Sequence, residues 1–346
     1  MDIAIVTSSL TGGGAERAMN LLANELTRRG HKVTLVPIND GPSDSVALAC
    51  QVISLHRKWK SGLVDLLITI KNIRSTINLI NPDVILLNCD LPELLGVFVP
   101  IKRKLVGIEH SSHPWSERRL LGRLVRLLLT MKRIRWVAVS NHLTIWPSLK
   151  KPNAVHLNIV IPNIQDYSPK FELHDMSSVK RLVFIGRLDA NKRANWAIEI
   201  ANLAEVPLEI FGNGPELFEL QELSRKYQSQ VKFNGFMPDV WDQIKTGDLL
   251  IVTSALEGDG LVVIESLYYG TPFLLADNPD FRRFDFPEKI YCADIEEFVV
   301  RVMGSKTTLE QLLVPPEMRM SILSERKDEI IGASWEKYLT KILEES

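Results

Sequence analysis

The sequence predicts an α/β chain built from two doubly wound units, each a parallel sheet with helices on both faces. Three observations predict it. Short apolar runs alternate with stretches of helical period along most of the chain, the pattern of strands buried on both faces and crossover helices. The alternation stops near residue 163 and restarts near residue 181. A chain of 346 residues also exceeds what one hydrophobic core usually organises, so two domains are the default.

In order, residues 2–8 read as an apolar strand, followed by LTGGGAER at 10–17. A helix is expected over 15–29, with Ala18, Leu21, Leu22 and Leu26 at helical spacing and Glu25 interrupting them. Gly30 ends it, and 32–38 is the next strand. A helix over 63–80 stops at Asn81-Pro82, and 83–88 is a strand. Residues 91–100 are helical, 105–109 a strand ending at His110, and 136–140 another strand. Residues 163–178 (NIQDYSPKFELHDMSS) hold Pro, Ser and charge without a period and read as an interdomain linker. Beyond it, strands are expected at 181–185, 208–211, 231–234, 248–252 and 272–276. Helices are expected at 194–204, 216–227 and 240–246. The amphipathic stretch 335–343 needs a surface to cover, and the first domain is the expected one.

Composition narrows the class. Hydrophobic residues at 45% and charged residues at 24% suit a folded water-soluble protein. Cys50, Cys89 and Cys292 are scattered, which argues for a reducing compartment and against structural zinc. The start, MDIAIVTSSL, lacks a basic n-region and reads as a strand, not a signal peptide. No apolar run reaches the roughly 20 residues that span a bilayer. Net charge is −1, but through Gln165 there are 21 Lys and Arg against 11 Asp and Glu, and afterwards 20 against 31. The halves are expected to meet different partners.

The centre of the second half is 253–273, TSALEGDGLVVIESLYYGTPF. A buried strand, a turn at Gly258-Asp259-Gly260 and a helix start make a ready anion site, because helix N-termini offer unpaired N–H groups and a positive dipole end. Counted as helical, the eight positions from Glu257 to Glu265 amount to a rotation of about 80°. Arg187 and Lys192 follow another strand, where an anion in a doubly wound unit would sit.

An ordered set of motifs resembles one family. The set is GGGAE at 12–16, His110 after a strand, VAVSNHL at 137–143, IPN at 161–163, FIGRLDANK at 184–192, FGNGPE at 211–216, VKFNGF at 231–236, Glu257-x7-Glu265 and Gly270-Thr271-Pro272. Together they resemble the retaining glycosyltransferases of family 4, with the GT-B architecture of two Rossmann-like domains facing a cleft. The resemblance implies an acceptor-binding domain at 1–164, on which a helix at about 333–346 packs back, and a nucleotide-sugar domain at 165–332.

It also implies roles. Arg187 and Lys192 contact the donor diphosphate, Arg as a bidentate fork and Lys as a point charge. The N–H groups of Gly260 and Leu261 face the same diphosphate. Glu265 holds the ribose hydroxyls, Glu257 meets hydroxyls of the donor sugar, and His110 bonds the transferring hexose. His113 ranks below it. Gly13 and Gly14 let backbone approach the donor, with Glu16 as a dipole partner. Gly212, Asn213 and Phe236 belong to the base-binding stretches; uracil is the commoner base. The acceptor hydroxyl attacks on the face the diphosphate leaves, with closure excluding water. D-x-D appears nowhere, so no metal and no cofactor are expected. Asp259 departs from the family, where the position is more often aromatic or apolar. It either alters donor preference or, the preferred reading, caps the helix.

Residues 114–135, PWSERRLLGRLVRLLLTMKRIR, interleave Arg118, Arg119, Arg123, Arg126, Lys132 and Arg133 with leucines behind Trp115. Such a helix suits an anionic membrane surface or a phosphorylated lipid-linked acceptor; Lys102-Arg103-Lys104 adds charge. The expected location is cytoplasmic, peripheral on the cytoplasmic face of the inner membrane. No nucleic-acid module is recognisable. The expected donor is a UDP-sugar carrying a hexose or N-acetylhexosamine, and the expected acceptor a lipid-linked saccharide of a bacterial surface glycan. Alternatives are a sugar-nucleotide epimerase of the same architecture and a non-catalytic sugar-nucleotide-binding partner. A nicotinamide enzyme fits poorly: in Gly12-x-Gly14-x-x-Arg17 an Arg replaces the third Gly, and no acid closes the second strand.

Overall fold

The central strands are buried on both faces, and each sheet is parallel throughout. The computed structural model describes residues 1–10, 13–40, 48–57, 62–100, 104–111, 114–115, 118–140, 143–148, 178–237, 239–304 and 309–345. Gly12, Lys102, Arg103, His113, residues 161–163 and the expected linker up to its last residue lie outside the described residues.

The chain divides into two units, Met1–Pro162 with Arg326–Ser346, and Asn163–Glu325. Unit 1 runs β1 (Asp2–Thr7), α1 (Gly14–Arg28), β2 (Lys32–Pro37), β3 (Gln51–Val52), α2 (Leu63–Ile80), β4 (Val84–Asn88), α3 (Asp90–Gly96), β5 (Lys104–Glu109), α4 (Arg119–Met131) and β6 (Arg135–Ala138). Its strand order is β3-β2-β1-β4-β5-β6. Alternation sends Ile3 and Ile5 into one core and Ala4 and Val6 into the other. The order reverses between β1 and β4, and in such sheets ligands bind beyond the strand ends at that point.

Unit 2 repeats the plan with β7 (Arg181–Ile185), α5 (Ala194–Ala204), β8 (Leu208–Phe211), α6 (Leu217–Tyr227), β9 (Val231–Gly235), β10 (Asp248–Val252), α7 (Leu261–Tyr269), β11 (Phe273–Ala276), α8 (Pro279–Arg282), β12 (Tyr291–Cys292), α9 (Ile295–Gly304) and α10 (Pro316–Ser324). Its order is β12-β11-β10-β7-β8-β9, reversing between β7 and β10. The short helix expected at 240–246 is a 3-10 turn, Val240–Gln243. It ends early because Asp248 Oδ2 accepts the Lys245 N–H at 2.7 Å and turns the chain into β10.

The last helix, α11 (Asp328–Glu344), belongs to unit 1. Trp335, Leu339 and Ile342 are buried in the core that also holds Leu22 and Leu26 of α1. The helices approach closely: a Cβ at Gly332 would stand 2.5 Å from Glu25 Cγ. Glu25, which broke the apolar pattern of α1, is buried and paired with Arg28 and Arg29.

Candidate active site

In unit 2 the loop after β7 is shaped by Asp189. Its carboxylate accepts the N–H groups of Asn191 (3.1 Å) and Lys192 (3.2 Å), a local turn that short acids favour. Backbone from the end of β8 supports this loop from beneath. The Leu188 N–H donates to the Asn213 carbonyl at 3.0 Å. Gly212 has φ +150, and a Cβ there would lie 1.8 Å from the Gly186 carbonyl oxygen, so only glycine fits. The glycine of FGNGPE is thus required by chain packing, whatever else it touches. Phe236, just past Gly235 on β9, is 41% exposed.

The loop after β10 is stitched to the loop after β7. Thr253 Oγ1 donates to the carbonyls of Lys192 (2.8 Å) and Arg193 (2.9 Å), and the Ala255 N–H donates to Asn191 O (2.7 Å). That registry brings Lys192 Nζ to Glu257 Oε2 at 2.5 Å. The pair flanks the reversal between β7 and β10. Arg187 is mostly exposed and pairs with Asp189 at 3.5 Å.

Glu257 is not helical. Helix α7 starts at Leu261 after Gly260, which is left-handed at φ +65. The 80° relation to Glu265 therefore does not apply. Gly260 caps α7, and helix geometry leaves the first N–H groups without intrahelical acceptors. Glu265 stands one turn inside, 7% exposed, and its Oε2 accepts Trp241 Nε1 at 2.8 Å. Trp241 stacks on Tyr269 with centroids 5.0 Å apart. Sequence reading missed Trp241, whose only signal was an aromatic in a short polar helix.

Asp259 does not cap α7: the cap is Gly260, with no side-chain cap bond. Its carboxylate is buried and paired with Arg283 at 3.2 Å, a partner 24 positions away that no local pattern announces.

In unit 1, Gly13 caps α1 in an extended conformation, and Gly14 opens the helix. A Cβ on Gly13 would stand 2.9 Å from Glu16 Oε2. His110 lies one residue beyond β5, its Nε2 2.5 Å from Asn88 Oδ1. Asn88 is fully buried at the end of β4, and its Nδ2 reaches Thr7 Oγ1 at 3.3 Å. Sequence reading missed Asn88, although a polar residue closing an all-apolar strand at the reversal point was a usable signal.

The expected basic face of 114–135 is corrected at three residues. Trp115 is 4% exposed and donates Nε1 to Glu93 Oε2 at 2.8 Å, so it is core and not surface anchor. Arg126 is buried, bonded to Glu93 (2.7 Å) and Glu109 (2.6 Å), with its guanidinium 4.4 Å from the Trp136 ring centroid. Burial pushes Glu109 up to about 7, a rise that Arg126 only partly offsets. Lys132 donates to carbonyls of Gly96 and Val99 at the end of α3. What faces outward on α4 is Arg119 and Arg123 with Leu120, Leu124, Leu127 and Met131; Arg118 and Arg133 flank the helix, also exposed. No helix of the described residues is long and apolar enough to cross a membrane.

Two parallel six-stranded sheets with interleaved helices, each reversing its strand order beside these residues, match the GT-B fold of glycosyltransferases. The signature of "Glycosyltransferase Family 4" matches residues 12–145, and that of "Glycosyl transferases group 1" matches residues 170–284. The chain belongs to this family of glycosyltransferases and is a transferase enzyme. An uncharacterized glycosyltransferase of Haemophilus influenzae is 23% identical over 276 residues, covering 76% of this chain and 77% of its own. A Campylobacter jejuni enzyme is 25% identical over 309 residues, covering 81% of this chain and 83% of its own. It is named as an alpha-1,4-N-acetyl-D-galactosaminyltransferase acting on a diphosphoundecaprenol-linked saccharide. The crystal structure of HepE from Anabaena with UDP and glucose superposes with TM-score 0.74 at 18% identity, covering 98% of this chain and 99% of its own.

Proposed function

We propose that the protein is a retaining glycosyltransferase that moves a hexose or N-acetylhexosamine from a UDP-sugar to a lipid-linked saccharide in a bacterial surface glycan. The observation that carries it is the Lys192–Glu257 pair at the β7/β10 reversal, 2.5 Å apart beside the N-terminus of α7. A cation and a helix N-terminus stabilise a departing diphosphate, while a carboxylate beside them orients sugar hydroxyls. In this reading Lys192 exchanges its Glu257 partner for the diphosphate as the donor enters, and Arg187 joins it from solvent. Glu265 accepts two ribose hydroxyls. Gly212, Asn213 and Phe236 border the base. The acceptor hydroxyl enters on the face the diphosphate leaves, and a phosphate oxygen takes its proton. No metal takes part.

The acceptor side of the reading rests on α4. Leu120 is 82% exposed and Met131 75%, and with Leu124 and Leu127 they recur at helical spacing beside Arg119 and Arg123. An apolar stripe with arginines along one edge fits an anionic bilayer surface, which supports a peripheral enzyme on a cytoplasmic leaflet. The Campylobacter relative's undecaprenol-linked acceptor supports the same class. A thermal-shift screen of UDP-, GDP- and ADP-sugars tests the donor: stabilisation by a UDP-sugar is expected, and stabilisation by NAD alone would overturn the reading. Proton NMR of the transferred linkage tests retention of the anomeric configuration.

A further inference from the structure

The loop carrying Glu257 has few apolar anchors of its own, yet it must hold one shape. Residues 278–284, around α8, grip it at four positions, Ser254, Glu257, Asp259 and Gly260. Asn278 Nδ2 donates to the Ser254 carbonyl at 2.8 Å. Asp280 Oδ2 accepts the Glu257 N–H at 2.7 Å. Arg283 Nη2 donates to Asp259 twice, to its carbonyl at 2.7 Å and its Oδ1 at 3.2 Å. A Cβ at Gly260 would meet the Phe284 ring at 3.4 Å and the Phe281 ring at 3.6 Å.

The grip is itself anchored. Asn278 Oδ1 accepts the Phe281 N–H at 3.0 Å, and Tyr291 donates its hydroxyl to the Phe281 carbonyl at 3.2 Å. Phe281 is fully buried. Three of the four hydrogen bonds go to backbone groups, the Ser254 carbonyl, the Glu257 N–H and the Asp259 carbonyl, and so fix the path of the loop directly. The Asp259 pair differs: a carboxylate left alone in this burial would be costly, so Arg283 and Asp259 depend on each other.

We propose that Asp280 and Arg283 are positioning residues of the transferase, and that Asp259 is the anchor Arg283 seizes, not a group that reads the donor sugar. Asp280 sets where the Glu257 side chain starts. Arg283 sets where Gly260 begins α7, and hence where the first N–H groups of that helix point. The inference rests on the UDP-sugar reading of this site.

Calorimetric titration with UDP, UDP-glucose and UDP-N-acetylgalactosamine tests it on the full chain. Arg283→Gln is expected to weaken UDP binding by about tenfold, the loss of a charge-assisted hydrogen bond, with Arg283→Lys recovering part of it. Asp280→Ala is expected to weaken the UDP-sugars more than UDP, since in the proposed reading the sugar is the part of the donor that Glu257 meets. Asp259→Asn should follow Arg283→Gln while leaving the ratio between the two UDP-sugars unchanged. General destabilisation would lower Tm without separating UDP from UDP-sugar. Unchanged affinities in Arg283→Gln and Asp280→Ala, with wild type binding UDP, overturn the clamp. A changed sugar ratio in Asp259→Asn overturns its anchor role. Wild type that binds neither UDP nor either UDP-sugar overturns the donor reading, and the clamp with it.

Discussion

Trp241 donates its indole N–H to Glu265 at 2.8 Å while its ring stacks on Tyr269, four residues along the same helix as Glu265. One side chain from the turn before β10 thus aims a carboxylate and is itself held flat by α7. A carboxylate fixed this way needs no reorganisation when hydroxyls arrive. Trp241→Phe keeps the stack and deletes the donor. Calorimetry is expected to show UDP binding weakened by roughly three- to tenfold, about the net worth of one ordinary hydrogen bond, since the loss reaches the ligand only through Glu265. Equal affinity would detach Trp241 from the site.

Lys192→Ala removes the cation at the β7/β10 reversal. Turnover of the donor is expected to fall by roughly 10²- to 10³-fold, the usual loss for one preorganised charge stabiliser. Arg187→Ala should fall in the same direction. Under the proposed mechanism neither wild-type activity nor these losses should respond to EDTA, because side chains would balance the charge on the leaving group. Initial rates with and without chelator check this, and abolition of wild-type activity by EDTA would contradict it.

Glu109 gives unit 1 a pH dependence. Burial raises its carboxyl from 4.5 to about 7, so the folded protein binds the proton more tightly than the unfolded chain. Its contribution is therefore full below about pH 4.5 and is lost as pH rises through about 7. Glu109→Gln keeps an acceptor for Arg126 and removes the titration. Thermal melts between pH 5 and 7.5 should show a smaller fall in Tm for the variant than for wild type. Parallel pH profiles would refute the assignment.

Leu124→Glu and Leu127→Glu place charge on the outward stripe of α4. Both sites are exposed, so Tm should barely move, within about 0.5 kcal/mol of stability. Co-sedimentation with vesicles containing anionic lipid should drop sharply. Equal recovery of wild type on neutral and anionic vesicles at low salt would sink the electrostatic part.

Gly212→Ala tests the backbone crossing beneath the β7 loop. With a Cβ 1.8 Å from the Gly186 carbonyl oxygen, the loops must separate. Loss of several kcal/mol, of the order seen for strained or overpacked sites, is expected in denaturant titrations. A loss under about 1 kcal/mol would mean that the loops part easily.

The alternation of strands and helices was legible because burial on a sheet or helix repeats over a few residues, and local sequence records it. Residues 181–185, 194–204 and 208–211 appear where they were expected. Between β11 and α11 no element was read from the sequence: α8 and β12 are too short to show a period, and α9 and α10 follow them without a clear strand to mark the register. The residues Arg187, Lys192, Glu257 and Glu265 could be chosen because they sit in motifs beside strand ends. The sequence by itself determined the two doubly wound units and the family. Only the tertiary structure decided which arginine of α4 turns inward, since its partners Glu93 and Glu109 lie 33 and 17 positions away. The same holds for Asp259 and Arg283, 24 positions apart, and for His110 and Asn88, 22 apart. A helical or strand period says which residues share a face, but charge pairing across elements depends on how the chain returns, and that is settled by packing.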